Sequence, residues 1–263
     1  MEDILIEVNH LKTYFTNKKG LIKKKEITVK AVDDVSFNIK KGESFCVVGE
    51  SGSGKTTLGR SILGLIPITA GKILYKGINI KNTDKEERLK IRRNMQVVFQ
   101  DPYSSLNPRK TIGALLIEPL LFHKMYKKED AEAKVFNILK EVGLQEETFY
   151  KYPHEFSGGQ RQRIGIARAL ILKPEFILLD EPVSSLDVSI QAQILNLLKE
   201  LQKKFNLTYL FIAHNLNVIR FFGDRVAVMH KGKIVESGDV EDIFTKPKDD
   251  YTKLLLNSIP KLY

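Results

Sequence analysis

Short apolar runs rich in β-branched residues open the chain: ILIEV, then ITVKAV and VSFNI, with turn-like charges between them. ESFCVV follows as a continuous apolar run, the mark of a strand buried on both faces, and leads directly into a glycine-rich turn at Gly49. The pattern predicts a helix from Lys55 to about Leu65, stopped by Pro67, and another buried strand at MQVVF, Met95 to Phe99. From about Asp101 the period changes. Ile112 to Phe122 and Ala131 to Val142 carry apolar residues at helical spacing, and a third helix begins after Ser157, a natural N-cap, and runs to Pro174. Strand and helix then alternate: FILLD, a helix over 189–204, TYLFIA, a short helix, and the hairpin RVAVMH-KG-KIVES.

Such alternation predicts an α/β fold with a mostly parallel sheet and ligands at the strand C-terminal ends. Four segments are expected. Residues 1–100 form the first part of a core with an antiparallel β-subdomain, and 101–172 an inserted helical subdomain. Residues 173–240 complete the core, and 241–263 form a C-terminal helical extension.

Composition narrows the classes. The 263 residues are 43% hydrophobic, too apolar for disorder. No stretch approaches the ~18–20 uninterrupted apolar residues of a membrane span. The opening MEDILIEVNH has acids where a secretion signal carries bases, so the chain is expected to stay soluble where it is made. A single cysteine, Cys46, excludes an internal disulfide and a multi-cysteine metal site; its place in SFCVV predicts a buried strand residue. The net charge of +10 would suit nucleic acid or an anionic membrane surface. Yet the sharpest basic run, Lys18 to Lys25, lacks the interleaved aromatics of a single-strand binder and reads as a solvated loop.

Candidate chemistry begins at residues 49–56, GESGSGKT, which match G-x-x-x-x-G-K-[ST]. Glycines there let backbone N–H groups turn inward around phosphate oxygens, and the positive end of the following helix favours the anion. The loop Gly49, Glu50, Ser51, Gly52, Ser53, Gly54, with Lys55, Thr56 and Thr57, is therefore a candidate ATP site. Lys55 meets the β- and γ-phosphates and the Thr56 hydroxyl ligates magnesium. A second motif ends the strand FILLD. Asp180 reaches the strand's C-terminal edge, where it can hold the magnesium shell, and Glu181 points the other way, free to polarise an attacking water. Together the motifs predict a P-loop NTPase core.

Residues 157–161 read SGGQR at a helix start, about twenty residues before FILLDE. With the phosphate loop and that strand, this resembles the ABC ATPase family, whose signature is usually LSGGQ; Phe156 stands in place of the leading leucine. The resemblance covers essentially the whole chain. It implies that Ser157, Gly158, Gly159 and Gln160 meet the γ-phosphate on a second subunit, so that two ATP sites are completed only in a dimer. It implies further roles for Gln100, touching magnesium and water, and for Ser185, Leu186 and Asp187, crossing the dimer interface. His214 would sense the γ-phosphate, and Phe15, rather than its neighbour Tyr14, would stack on adenine. The expected catalytic set is Glu181, His214, Gln100 and Lys55, with magnesium held by Thr56, Gln100 and Asp180.

KAVDDVSF, VFQDPYSSLNPR, SLDVSIQAQILNLL and the tail IFTKPKDDYTKLLLNSIP resemble one subfamily, the ATPase subunits of dipeptide, oligopeptide and nickel importers. The insertion before KAVDDVSF looks most like the second of their paired ATPases. In the tail, DDYTK stands where members often have His-Pro-Tyr-Thr, and the cysteines of an iron–sulfur cluster are missing, so none is expected. The resemblance implies a paralogous ATPase (or a second copy of this chain), two membrane permeases and an external substrate-binding protein as partners. It places the chain peripherally on the cytoplasmic side of the membrane. An importer of another solute, such as nickel, phosphate or an amino acid, is the alternative. A nucleic-acid ABC ATPase fits less well, because one cassette, one cysteine and no sustained heptads lack its usual additions; no nucleic-acid partner is expected.

Overall fold

The computed structural model describes residues 3–19, 25–101 and 106–258. Most of the basic run Lys18 to Lys25, part of DPYSSLNPR and the last residues of the tail lie outside the described residues. The chain divides into two compact units, residues 1–85 with 210–263, and residues 86–209.

The first unit opens with two long antiparallel strands, β1 (Ile4–Lys19) and β2 (Lys25–Lys40). The sequence pattern predicts three short runs here, and the difference has a physical cause. Asp34, at φ 64, kinks β2 without ending it, so the acids of KAVDDVSF mark an irregular register and not a turn. His10, at φ 48, breaks β1 in the same way. Two further strands complete this sheet in the order β2-β1-β4-β5: β4 (Ala70–Tyr75) and β5 (Ile78–Asn79).

A second sheet portion in this unit has β3 (Ser44–Val48) parallel to β9 (Arg225–His230), which pairs antiparallel with β10 (Lys233–Asp239). Every residue of β3 is buried, Cys46 included, as its continuous apolar pattern requires. Helix α1 (Lys55–Ile62) is shorter than predicted. Gly64, at φ 66, ends it by bonding back to Ser61, three residues before Pro67 could act. Helices α7 (Leu216–Phe222), α8 (Val240–Thr245) and α9 (Asp250–Asn257) complete the unit.

The second unit begins with α2 (Lys85–Asn94), most of which lies in it, then β6 (Met95–Val98), parallel to β7 (Phe176–Asp180). Its helices are α3 (Ile112–Phe122), α4 (Lys128–Glu141), α5 (Gly158–Leu170) and α6 (Val188–Phe205). Leu116 and Leu120 of α3, Val135 and Leu139 of α4 and Ile164 of α5 are fully buried, the apolar stripes that their spacing predicts.

Strand β8 (Thr208–Ala213) contains the division between the units and is buried along its length. Within the second unit, its Tyr209 donates a hydroxyl hydrogen to the Leu198 carbonyl at 3.0 Å, and burial holds the phenol far above its usual pKa. Tyr209→Phe should lower the unfolding free energy by about 1 kcal/mol, the net worth of one buried hydrogen bond. Urea denaturation reads this as a lower midpoint at unchanged slope.

Candidate functional site

In the first unit, β3 delivers the chain to Gly49, and the loop returns through Gly54 into α1. Two backbone carbonyls set the loop's shape. A Cβ on Gly49 (φ 154) would lie 2.0 Å from the Met229 carbonyl oxygen, and one on Gly54 (φ 107) would lie 2.0 Å from that of Ala31. Only glycine fits at both positions. Gly52 (φ 79) faces open space, so nothing obstructs approach to the loop there. The loop is also held from the β9–β10 turn, where Gly232 N–H donates to the Ser53 carbonyl at 2.9 Å.

Lys55 is 4% exposed, and its ammonium donates to the carbonyls of Gly49 (2.7 Å) and Glu50 (2.9 Å), which curls its side chain back over the loop. The Ser53 hydroxyl is buried without a hydrogen-bond partner among the described residues. A cradle that no Cβ could share, a buried cation and an unpartnered buried hydroxyl together suit a polyphosphate.

Near the start of the same unit, Tyr14 and Phe15 separate cleanly. The Tyr14 hydroxyl donates to the Asp33 carboxylate, and that bond, with burial and the charges of Asp33 and Asp34, pushes the phenol up to about 12. Phe15 is 42% exposed. Tyr14 is thus committed within the fold, and Phe15 is the aromatic that presents its side chain outward. His214 stands exposed just after β8, one residue before the Asn215 cap of α7.

The second unit joins two residues 81 positions apart. Gln100 Nε2 donates to Glu181 Oε2 at 3.3 Å. Asp180, at the end of β7, is 3% exposed. Glu181 turns sharply away, at φ 50, in a region non-glycine residues rarely enter. Ser184 fixes this turn, because its N–H and its hydroxyl both donate to the Glu181 carbonyl, at 3.3 and 3.1 Å.

The signature segment is a capping box at the start of α5. Ser157 Oγ accepts the Gln160 N–H at 3.4 Å, and Gln160 Oε1 accepts the Ser157 N–H at 3.0 Å. Its glycines are packing requirements. A Cβ on Gly158 would lie 3.3 Å from Leu186, and one on Gly159 would lie 2.6 Å from Ile190. The signature thus lies directly against the Ser185–Asp187 segment and the first turn of α6, whose N-cap position Asp187 occupies.

Sequence reasoning missed the contacts that hold the phosphate loop from outside: the Ala31 and Met229 carbonyls, and Tyr251 of α9, whose hydroxyl oxygen accepts the Glu50 N–H at 3.1 Å.

The profile of the ABC transporter family matches residues 32–184. The chain is 52% identical over 260 residues to the oligopeptide transport ATP-binding protein AppF of Bacillus subtilis, covering 98% of this chain and 79% of that one. It is 51% identical over 262 residues to OppF of the same organism, covering 99% and 84%. Among solved structures, the ATP-binding cassette MJ0796, a dimer in a post-hydrolysis state with ADP and phosphate, superposes with a TM-score of 0.78 at 31% identity, over 90% of this chain and 99% of that one. The cbiO1 protein of Clostridium perfringens, part of the cbiONQ transporter complex, gives 0.77 at 28% identity, over 93% and 92%.

Proposed function

This chain belongs to the ABC transporter family, and from that membership we propose that it is the ATP-hydrolysing subunit of an oligopeptide importer, working on the cytoplasmic face of a membrane. The observation that supports the solute class most is the identity to oligopeptide ATP-binding proteins, which runs through nearly the full length of the chain. No helix among the described residues is long and apolar enough to cross a membrane.

The division of labour follows the chemistry of each group. Gly49 to Thr57 cradle the phosphates, Lys55 neutralises charge on the β- and γ-groups, Phe15 stacks on the adenine and His214 contacts the γ-phosphate. Thr56, Asp180 and Gln100 are the residues that would hold magnesium, which would supply positive charge to offset that of the phosphates. Glu181 accepts the proton of the attacking water or orients that water; a bond forms from its oxygen to the γ-phosphorus as the bond to the ADP oxygen breaks. Gln100, bonded to Glu181 Oε2, keeps that carboxylate aimed.

Ser157, Gly158, Gly159, Gln160 and Asp187 serve the nucleotide of a second cassette, a paralogue or another copy of this chain. ATP binding closes such a dimer and hydrolysis releases it, which turns the chemistry into movement. Residues 101–172 act as the helical subdomain that receives this movement. Its α3 ends in Leu121 and Phe122, 40% and 68% exposed, an apolar surface suited to a permease's cytoplasmic helix.

Pull-down of the tagged chain from its native membranes with magnesium and a non-hydrolysable ATP analogue, followed by mass spectrometry, tests the assignment. A second ATPase and two permeases are expected, with an external peptide-binding protein in the intact assembly. Recovery of nucleic acid without membrane protein would overturn the transport role and leave only the ATPase chemistry.

A further inference from the structure

We infer that Tyr251, on the C-terminal helix α9, is a positioning residue for the phosphate loop, so that the tail of the chain sets how firmly the loop grips a nucleotide. The inference rests on the phosphate-loop reading and adds a control element to it. The tail is not loosely appended. Glu236 of β10 accepts the backbone N–H groups of Lys248 (2.8 Å) and Asp249 (3.1 Å). Burial alone would raise the Glu236 carboxyl, but those two N–H groups and the Lys248 charge help hold it below its usual range. Asp249 then accepts the Tyr251 N–H at 2.9 Å and fixes the first turn of α9.

From this anchored helix the Tyr251 ring stacks on His230, with centroids 3.9 Å apart and planes 5° from parallel. The stack aims the hydroxyl at the loop, where its oxygen accepts the Glu50 N–H. The Glu50 carbonyl, in turn, accepts the Lys55 ammonium and the Ser53 N–H. Tyr251 thus grips from outside the same residue whose carbonyl Lys55 holds from inside. His230 adjoins Met229, whose carbonyl forms the wall against Gly49, and the same hairpin carries Gly232, bonded to Ser53. The hairpin and α9 act as one clamp that keeps the loop in its binding shape before the nucleotide arrives, and so lowers the ordering cost of binding.

Tyr251→Phe keeps the ring stack and removes only the acceptor. Purified Tyr251→Phe should show KM for ATP and Kd for ADP raised together by about 2- to 10-fold, the range of one neutral hydrogen bond, with kcat unchanged. A merely structural role would instead lower the active fraction or the melting temperature without moving KM. His230→Ala, which frees the ring while leaving the hydroxyl, should move KM and Kd in the same direction. The double variant should do little more than the stronger single one, because both act through one contact. Lys253→Ala breaks the Lys253–Asp250 ion pair on the same helix without touching the loop, and should leave KM at the wild-type value. Unmoved nucleotide affinity in both Tyr251→Phe and His230→Ala would overturn the inference, as would an equal rise in Lys253→Ala. A wild-type chain that binds no nucleotide would sink the phosphate-loop reading, and this inference with it. Normal wild-type binding with unmoved variants would sink the inference alone.

Discussion

Glu181→Gln is expected to bind ATP as the wild type does and to hydrolyse it about 10²- to 10⁴-fold more slowly, the usual loss when a positioned base is removed. The substitution keeps the side chain's size and shape while removing its negative charge and its ability to take a proton. Glutamine has the same shape, and its amide oxygen can still accept from Gln100 Nε2, which bonds Glu181 Oε2 in the parent. The backbone at φ 50 suits it no worse than glutamate, and the Ser184 N–H and hydroxyl hold that turn through the residue 181 carbonyl whatever the side chain. Because ATP persists, dimers closed on it should accumulate. Single-turnover phosphate release, alongside equilibrium nucleotide binding, separates the two effects. Hydrolysis within about tenfold of the wild type would remove Glu181 from the proton-transfer step.

Gly54→Ala is expected to weaken nucleotide binding by about 100-fold or more and to lower stability by about 2–4 kcal/mol. The methyl would meet the Ala31 carbonyl oxygen at 2.0 Å and the Met229 methyl at 2.8 Å. The first is backbone of β2 and cannot swing aside. The residue would also be held at φ 107, where an L side chain is strained. Relief requires the loop to leave the shape that is proposed to cradle the phosphates. Gly52→Ala provides the internal comparison. It carries a similar backbone penalty at φ 79 but meets nothing within 4 Å, so its effect should stay near 1 kcal/mol. Calorimetric titration with ADP and a thermal melt on both variants would decide this, and equal behaviour of the two would sink the steric account.

Where side chains alone dictate structure, the sequence was readable. SFCVV, FILLD and TYLFIA are strands because each carries a continuous apolar run with no turn former in it, and all three are buried throughout. The stripes of α3, α4 and α5 follow from spacing for the same reason. Residues 68–94 gave no comparable signal. Helix α2, KEERLKIRRN, buries only Ile91, so it has no apolar period to read; β4 buries only Ile73 and Tyr75, and β5 has two residues. In β1 and β2 the alternation breaks where the register shifts, which disguised two long strands as three short ones.

The site divides along similar lines. The phosphate loop and the Asp180–Glu181 pair are contiguous in sequence and announce themselves. The bond between Gln100 and Glu181 spans 81 positions and that between Glu50 and Tyr251 spans 201; neither has a local pattern to betray it. Tyr14 and Phe15 are neighbours of similar chemistry, and what distinguishes them, the Asp33 carboxylate that engages Tyr14 and the exposure of Phe15, is visible only in the fold.

The capping box at Ser157 carries a last consequence. A serine oxygen that takes in the Gln160 N–H still owns its own hydrogen, which remains free to rotate. Ser157 can therefore offer that hydrogen to an incoming phosphate oxygen without surrendering the bond that starts its helix. On the proposed role of the signature across a dimer, engagement and release would then proceed with the helix intact, leaving it ready for the next turnover.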